Sequence, residues 1–255
     1  MAAFIIRTLC GMLILAVSSM AFVDVTPIEI GEHPGISGSF SLSSSLKRGN
    51  VDRNDYAADA NIRYDTNRTD AIWAIGSFDY GSSHGDEIEN SSMGHLRWLH
   101  RIDVPLYGEL FIQAEQDKFK EISNRSLAGG GVRYRFFNTQ KHGKGYIGIG
   151  LFFEKIRYRD TAIDPNENNI RLNGYLFYTK TFQTNALLNL YAYYQPKADD
   201  MQDYLIVSAC ELSLPIYGSL SLLFSLQGNY DSRPPESGDI KHYDITQKTA
   251  LKWKF

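Results

Sequence analysis

Charged side chains recur at every second position along much of this 255-residue chain. Arg97 and Arg101 share one parity. So do Glu109, Gln113, Glu115 and Asp117, and then Arg125, Arg133 and Arg135; Arg63, Glu154 and Arg171 hold the same place in their own segments. Residues two apart lie on one face of an extended strand, so each group is a charged stripe. Turned into a confined space, such stripes have two uses. They can cross-link one another as ion pairs, or they can line a small pore whose fixed charges select solutes. The set that would line such a space is Arg63, Arg97, Glu109, Gln113, Glu115, Arg125, Arg133, Arg135, Glu154 and Arg171, with Arg97, Glu115, Arg125, Arg133 and Arg135 at the constriction. Glu109, Glu115 and Asp117 stand opposite the strand of Arg125, Arg133 and Arg135, so pairing across that seam is expected.

Other chemistry is less well supported by the residues. Ser82, Ser83 and His84 share a polar stretch, with Ser91 and His95 below it. A nucleophile needs a base within reach and a third group to orient that base. No His-x-Ser-Asn string is present, so a rim Ser/His hydrolase is the alternative reading and no catalytic residue is assigned. Asp160, Asp164, Asn166, Glu167 and Asn168 offer hard oxygens of the kind calcium takes. They lack the glycine and the late bidentate Glu of a calcium loop and read as a solvated loop, so neither a metal nor a cofactor is assigned. A formal net charge of -3 argues against a nucleic-acid partner.

The elements that carry these stripes are strands. Ile36, Gly38, Phe40, Leu42 and Leu46 alternate with Ser37, Ser39, Ser41, Ser43, Ser45 and Lys47. This period of two marks a half-buried strand and recurs in about twelve segments over 35–255, apolar on one face and polar on the other. The last runs Tyr243, Ile245, Gln247, Thr249, Leu251, Trp253 and Phe255 on its apolar face. The pattern predicts an all-β, closed antiparallel transmembrane barrel, polar inside. In hydrocarbon a sheet must close to satisfy its backbone. Connections should alternate between long outer loops, among them 81–91 and 231–242, and short inner turns, with 138–144 the longest of these. Gly129, Gly131, Gly148 and Gly150 face inward and either open space or let the sheet bend.

The amino terminus fits export. Arg7, the apolar run from Leu9 to Val17 and the small residues up to Ala21 have the order of a cleaved signal peptide, with 22–34 as a periplasmic lead-in. Cleavage removes Cys10 and leaves Cys210 on a lipid-facing position. The terminal strand ending at Phe255 looks like an assembly signal of bacterial outer-membrane barrels. The expected location is thus the Gram-negative outer membrane, among lipids and lipopolysaccharide, with the barrel-assembly machinery as partner.

Several stretches carry a resemblance: Tyr107-Gly-Glu-Leu-Phe-Ile-Gln-Ala-Glu-Gln-Asp-Lys-Phe, Asn124-Arg-Ser-Leu-Ala-Gly-Gly-Gly-Val-Arg-Tyr-Arg, Tyr193-Tyr-Gln-Pro, Asp203-Tyr and Tyr230-Asp-Ser-Arg-Pro-Pro. In this order they resemble the YdiY-like family of salt-induced outer-membrane proteins, a domain of unknown function (481). The resemblance implies an outer-membrane barrel linked to salt or osmotic stress, with no settled activity. It marks Gln113, Glu115, Arg125, Gly129, Gly131 and Arg133 as characteristic positions. Asp117 departs from the pattern, where Asn is expected.

Overall fold

The computed structural model describes residues 29–47, 52–159, 165–236 and 240–255. The signal-peptide reading of 1–21, the start of the lead-in, and Asp160 and Asp164 of the acidic loop lie outside them. Twelve antiparallel strands form one closed barrel: β1 (Gly35–Lys47), β2 (Arg53–Asp65), β3 (Asp70–Ser83), β4 (Asp86–Asp103), β5 (Leu106–Asp117), β6 (Ile122–Thr139), β7 (Gly143–Tyr158), β8 (Glu167–Thr181), β9 (Leu187–Pro196), β10 (Tyr204–Tyr217), β11 (Leu220–Asp231) and β12 (Tyr243–Lys254). Each strand pairs with its chain neighbours, and β12 closes on β1.

The alternation decides which way each side chain points. On β7, Ile147, Ile149, Leu151 and Phe153 are exposed on the outer wall, while Phe152 and Glu154 are buried inside. The same division holds along the other strands. Cys210 lies on the outer wall. Tyr64, Trp98, Tyr134 and Trp253 stand near the inner ends of their strands, and Tyr56, Tyr194, Tyr230 and Tyr243 near the outer ends, all exposed. These are the two aromatic rings expected of a barrel in a bilayer. His100 sits at the inner ring, where both its Nδ1 and the Trp98 indole N–H meet Asp70 Oδ1 at 2.9 Å.

Two connections differ from expectation. The polar stretch 81–91 is not a loop. β3 and β4 continue pairing up to Ser83 and Asp86, and only His84 (φ 52°) and Gly85 (φ 92°) turn the chain. Positive φ at both central residues matches the twist of a tight hairpin. Polar residues on both faces do not break a ladder that extends beyond the apolar belt. Likewise β6 and β7 pair as far as Thr139 and Gly143, so the longest expected inner turn shrinks to 140–142.

The closing seam is the shortest. β1 and β12 pair over Ser39–Lys254 to Leu42–Leu251, extended by Gly38 and Phe255, which exchange backbone hydrogen bonds of 2.9 and 3.0 Å. The Phe255 ring lies where a side chain on Gly38 would be, so the terminal residue helps to shut the cylinder.

Candidate functional site

The bore is built in layers, because each strand contributes inward residues at staggered heights. In the outer half, ion pairs link residues of alternating sign into one chain: Glu115, Arg125, Glu154, Arg171, Asp203, Lys197 and Glu167. Arg125 Nη1 donates to Glu115 Oε1 at 2.7 Å, and its Nε to Glu154 Oε1 at 2.6 Å. Arg171 Nε donates to Glu154 Oε2 at 2.8 Å. Glu154 thus holds two arginines, and Asn169 Nδ2 adds a third donor at 3.0 Å. Buried charges are tolerated when paired and hydrogen-bonded in this way.

A cavity of about 180 Å³ opens among these residues toward the outer end, and Arg97, Phe111, Tyr191 and Tyr193 also line it. Arg233, Pro234, Pro235 and His242 of the last outer connection lie over it. Anionic and cationic side chains nearly balance around its wall.

Beneath the cavity side chains pack across the bore, and a smaller cavity of about 20 Å³ lies at Ser41, Asp59, Ile75 and Lys252. The Arg97 guanidinium lies over Trp73 (5.7 Å) and Phe111 (5.4 Å) and is 3.6 Å from Glu109. The Tyr175 ring lies 5.0 Å from that of Tyr193, tilted by 35°, and its hydroxyl donates to Glu109 at 2.7 Å. Of the two readings of the inward glycines, opened space or a bend in the sheet, the first does not hold at Gly148. Tyr175 is its direct cross-strand partner, and the ring occupies the position a Gly148 side chain would take. Gly131 and Gly150 face each other's backbones too closely for side chains.

The innermost layer holds part of the lead-in. The Glu29 carboxylate accepts hydrogen bonds from Tyr107 (2.8 Å) and Tyr146 (2.5 Å) and pairs with Arg135 (2.5 Å). Arg133 lies between the same two rings, 5.5 Å from Tyr107 and 5.2 Å from Tyr146. Arg63 Nη2 donates to the Glu29 carbonyl (3.2 Å), Arg101 donates to the Ile30 carbonyl, and the Gly31 N–H donates to Asp65 (2.8 Å). Ile30 packs into a buried cluster with Trp73, Leu99 and Tyr107. Glu29 precedes β1, outside the spanning strands. Burial pushes its carboxyl upward, but the hydrogen bonds from Tyr146, Arg135 and Tyr107 outweigh this and hold it below the ordinary range.

The ten residues expected along the bore lie on the inner side of the wall, buried or half-buried, and the five placed at the constriction are spread over different layers. Of the pairings expected across the β5–β6 seam, Glu115–Arg125 forms in register. Glu109 turns instead to Arg97 and Tyr175. Asp117 caps a short turn at Lys118–Lys120. Arg133 stacks on tyrosines, Arg135 binds Glu29, and Arg63 pairs with Asp65 at 2.7 Å. Glu29, Tyr107, Tyr146 and Tyr175 escaped the sequence reading, since inward tyrosines look like any strand aromatic.

Ser91 and His95 both face inward, about 13 Å apart along one strand. Gln113 Oε1 is 2.9 Å from His95 Nδ1, and Arg97 Nε donates to His95 Nε2 at 3.2 Å. Arginine can only donate, so Nε2 accepts and both ring nitrogens are engaged. Among the described residues, no group of three His, Cys, Asp or Glu side chains is placed to hold a metal ion.

A closed twelve-strand antiparallel cylinder with an apolar outer wall and an ion-paired bore defines an outer-membrane-type β-barrel. The chain belongs to the family described as "Protein of unknown function, DUF481", whose sequence model matches residues 40–255. This agrees with the domain of unknown function 481 that the motifs at Tyr107 and Asn124 resemble. No curated protein matches the chain. Among solved structures it is similar to the translocator domain of the autotransporter NalP from Neisseria meningitidis, at 9% identity over 87% of this chain and 89% of that one, TM-score 0.49. It is also similar to the NanC porin, at 10% identity over 86% and 98%, TM-score 0.48. The beta domain of the Bordetella autotransporter BrkA is a third, at 11% identity over 88% and 99%, TM-score 0.41.

Proposed function

We propose that this barrel sits in the Gram-negative outer membrane and is a narrow passage for small polar solutes, seen here shut. The apolar belt between two aromatic rings supports the location, and the surrounding partners are then outer-membrane lipids and lipopolysaccharide. The strand ending at Phe255 is what the barrel-assembly machinery engages. A link to salt or osmotic stress has only the sequence resemblance behind it.

The outer cavity carries the functional reading. Its 180 Å³ compares with the roughly 150 Å³ cavity that holds one benzene ring, so it admits one small solute at a time. Its alternating charges leave little net field, so the passage should discriminate weakly between cations and anions. The layer of Arg97, Tyr175 and Tyr193, and the docked Glu29 below it, must move for solute to cross. The filled inner half supports a second reading, a purely structural envelope barrel.

Planar-bilayer recording of the purified protein separates the two. A passage gives small conductance steps with a reversal potential near zero in a salt gradient. Silence in the wild type and in Tyr175→Ala leaves the structural barrel. No hydrolytic step belongs to this reading: Ser91→Ala and His95→Ala should leave ester turnover at background, and a loss of measurable turnover in either would restore the hydrolase.

A further inference from the structure

Three strands of the inner mouth converge on one carboxylate. Tyr107 comes from β5, Arg135 from β6 and Tyr146 from β7, and each places a donor on Glu29 at 2.5–2.8 Å. All the donors to this carboxylate belong to the wall. The two phenols are held in place by Arg133 between their rings, a cation–π arrangement that does not depend on Glu29. Two phenols and a guanidinium aimed at one point make strong, charge-assisted bonds to a carboxylate, and the fixed charge of Arg135 disfavours a cation at that point. The donors therefore form a receptor on rigid elements, and its occupant rides on a tether lying ahead of the sheet.

We propose that the inner mouth is a carboxylate-binding site, that Glu29 occupies it as an internal ligand, and that carboxylate solutes reaching the inner face displace it. Exchange frees the lead-in from the mouth. A tethered group competes at an effective concentration on the order of millimolar, so free carboxylates near or above that level compete with it. The inference rests on the passage reading only for its consequence on conductance. The site itself is tested separately.

The mature full-length protein, with Cys210→Ser and a spin label at His33→Cys, reports whether the lead-in is docked. His33 is exposed and makes none of the contacts described. In the wild-type background the label should be immobile. Glu29→Gln, and independently Tyr146→Phe, should raise its mobile fraction on the order of tenfold, the change expected on losing one charge-assisted hydrogen bond. Sodium acetate should mobilise the label well beyond sodium chloride of equal ionic strength. A label as immobile in Glu29→Gln as in the wild type overturns the proposal, because the segment is then held without its carboxylate. Equal effects of acetate and chloride also overturn it, since the mouth then responds to ionic strength alone. If Glu29→Gln frees the label yet bilayers stay silent, the carboxylate site stands and the passage reading fails.

Discussion

Tyr175 reaches across the bore to Glu109, its hydroxyl 2.7 Å from a carboxylate 66 positions away in sequence. It gets there by lying over Gly148, its partner across the β7–β8 ladder. An aromatic laid over a cross-strand glycine covers backbone that would otherwise be bare. Here it also bridges β8 to β5 and lies beside Tyr193, which lines the outer cavity.

Gly148→Ala puts a methyl group where the Tyr175 ring lies. Overpacking of this kind costs about 1–3 kcal/mol, and the displaced ring gives up its bond to Glu109. Urea unfolding in lipid vesicles, followed by tryptophan fluorescence, should show the loss. If the passage reading holds, the same variant shows more frequent conductance steps. Tyr175→Phe keeps the ring in place, so it should lose stability through the unsatisfied Glu109 alone, about 1–3 kcal/mol. Unchanged stability in both would mean that the layer is not packed as described.

Glu154 is the hinge of the outer ion-pair chain, between Arg125 and Arg171. Removing one partner from a buried pair costs about 3–5 kcal/mol, because a charge is left without compensation. Glu154→Ala leaves two buried guanidinium groups facing each other, Arg125 with one carboxylate (Glu115) and Arg171 with one (Asp203), and should fall at the low end of that range by vesicle unfolding. Glu115→Ala should cost less, since Arg125 keeps Glu154. Equal losses for the two would show that the chain is not organised around Glu154.

The alternation made the strands and their facing legible because a period of two is local. Each residue needs only its neighbours to announce its side, as Ile149 and Glu154 do. Connections across the bore are not local. Tyr175 with Glu109, and Tyr107 with Glu29, depend on the stagger between strands and on which residues share a height after closure. Glu109 and Arg133 face each other's strands in sequence yet part company, because Gly131 is the residue in register with Glu109. The outer reach of β3 and β4 was hidden for another reason: beyond the apolar belt neither face is consistently apolar, so pairing leaves no hydropathy signal.

Ile149 is 69% exposed at mid-height on the outer wall, where a bilayer core would meet it. Ile149→Arg should destabilise the folded barrel in vesicles by roughly 2–4 kcal/mol, and Phe136→Arg, near the inner rim, by about 0–1 kcal/mol. Repeating both in detergent micelles should shrink the difference, since a micelle adapts to a charge more easily than a bilayer. Equal costs at the two depths would argue against a membrane around this belt.

Glu29 gives the inner mouth a pH dependence of fixed sign. Its carboxyl is held below its ordinary value of 4.5 when docked, so the folded arrangement favours the charged form. Docking is then fully stabilised above about pH 4.5 and is lost as pH falls through the lower, docked value. The groups facing Glu29 are Tyr107 on β5, Arg133 and Arg135 on β6, Tyr146 on β7 and Arg63 on β2. Asp65 and Arg101 hold the backbone beside it, and Lys144 pairs with Glu32. The arginines stay protonated throughout this range, so the acid transition belongs to the carboxylates. A spin label at His33→Cys should be immobile near neutrality and become mobile in acid. In Glu29→Gln the part of the transition due to Glu29 should vanish. Release on raising the pH, or an unchanged acid midpoint in Glu29→Gln, would remove Glu29 as the group that anchors the lead-in.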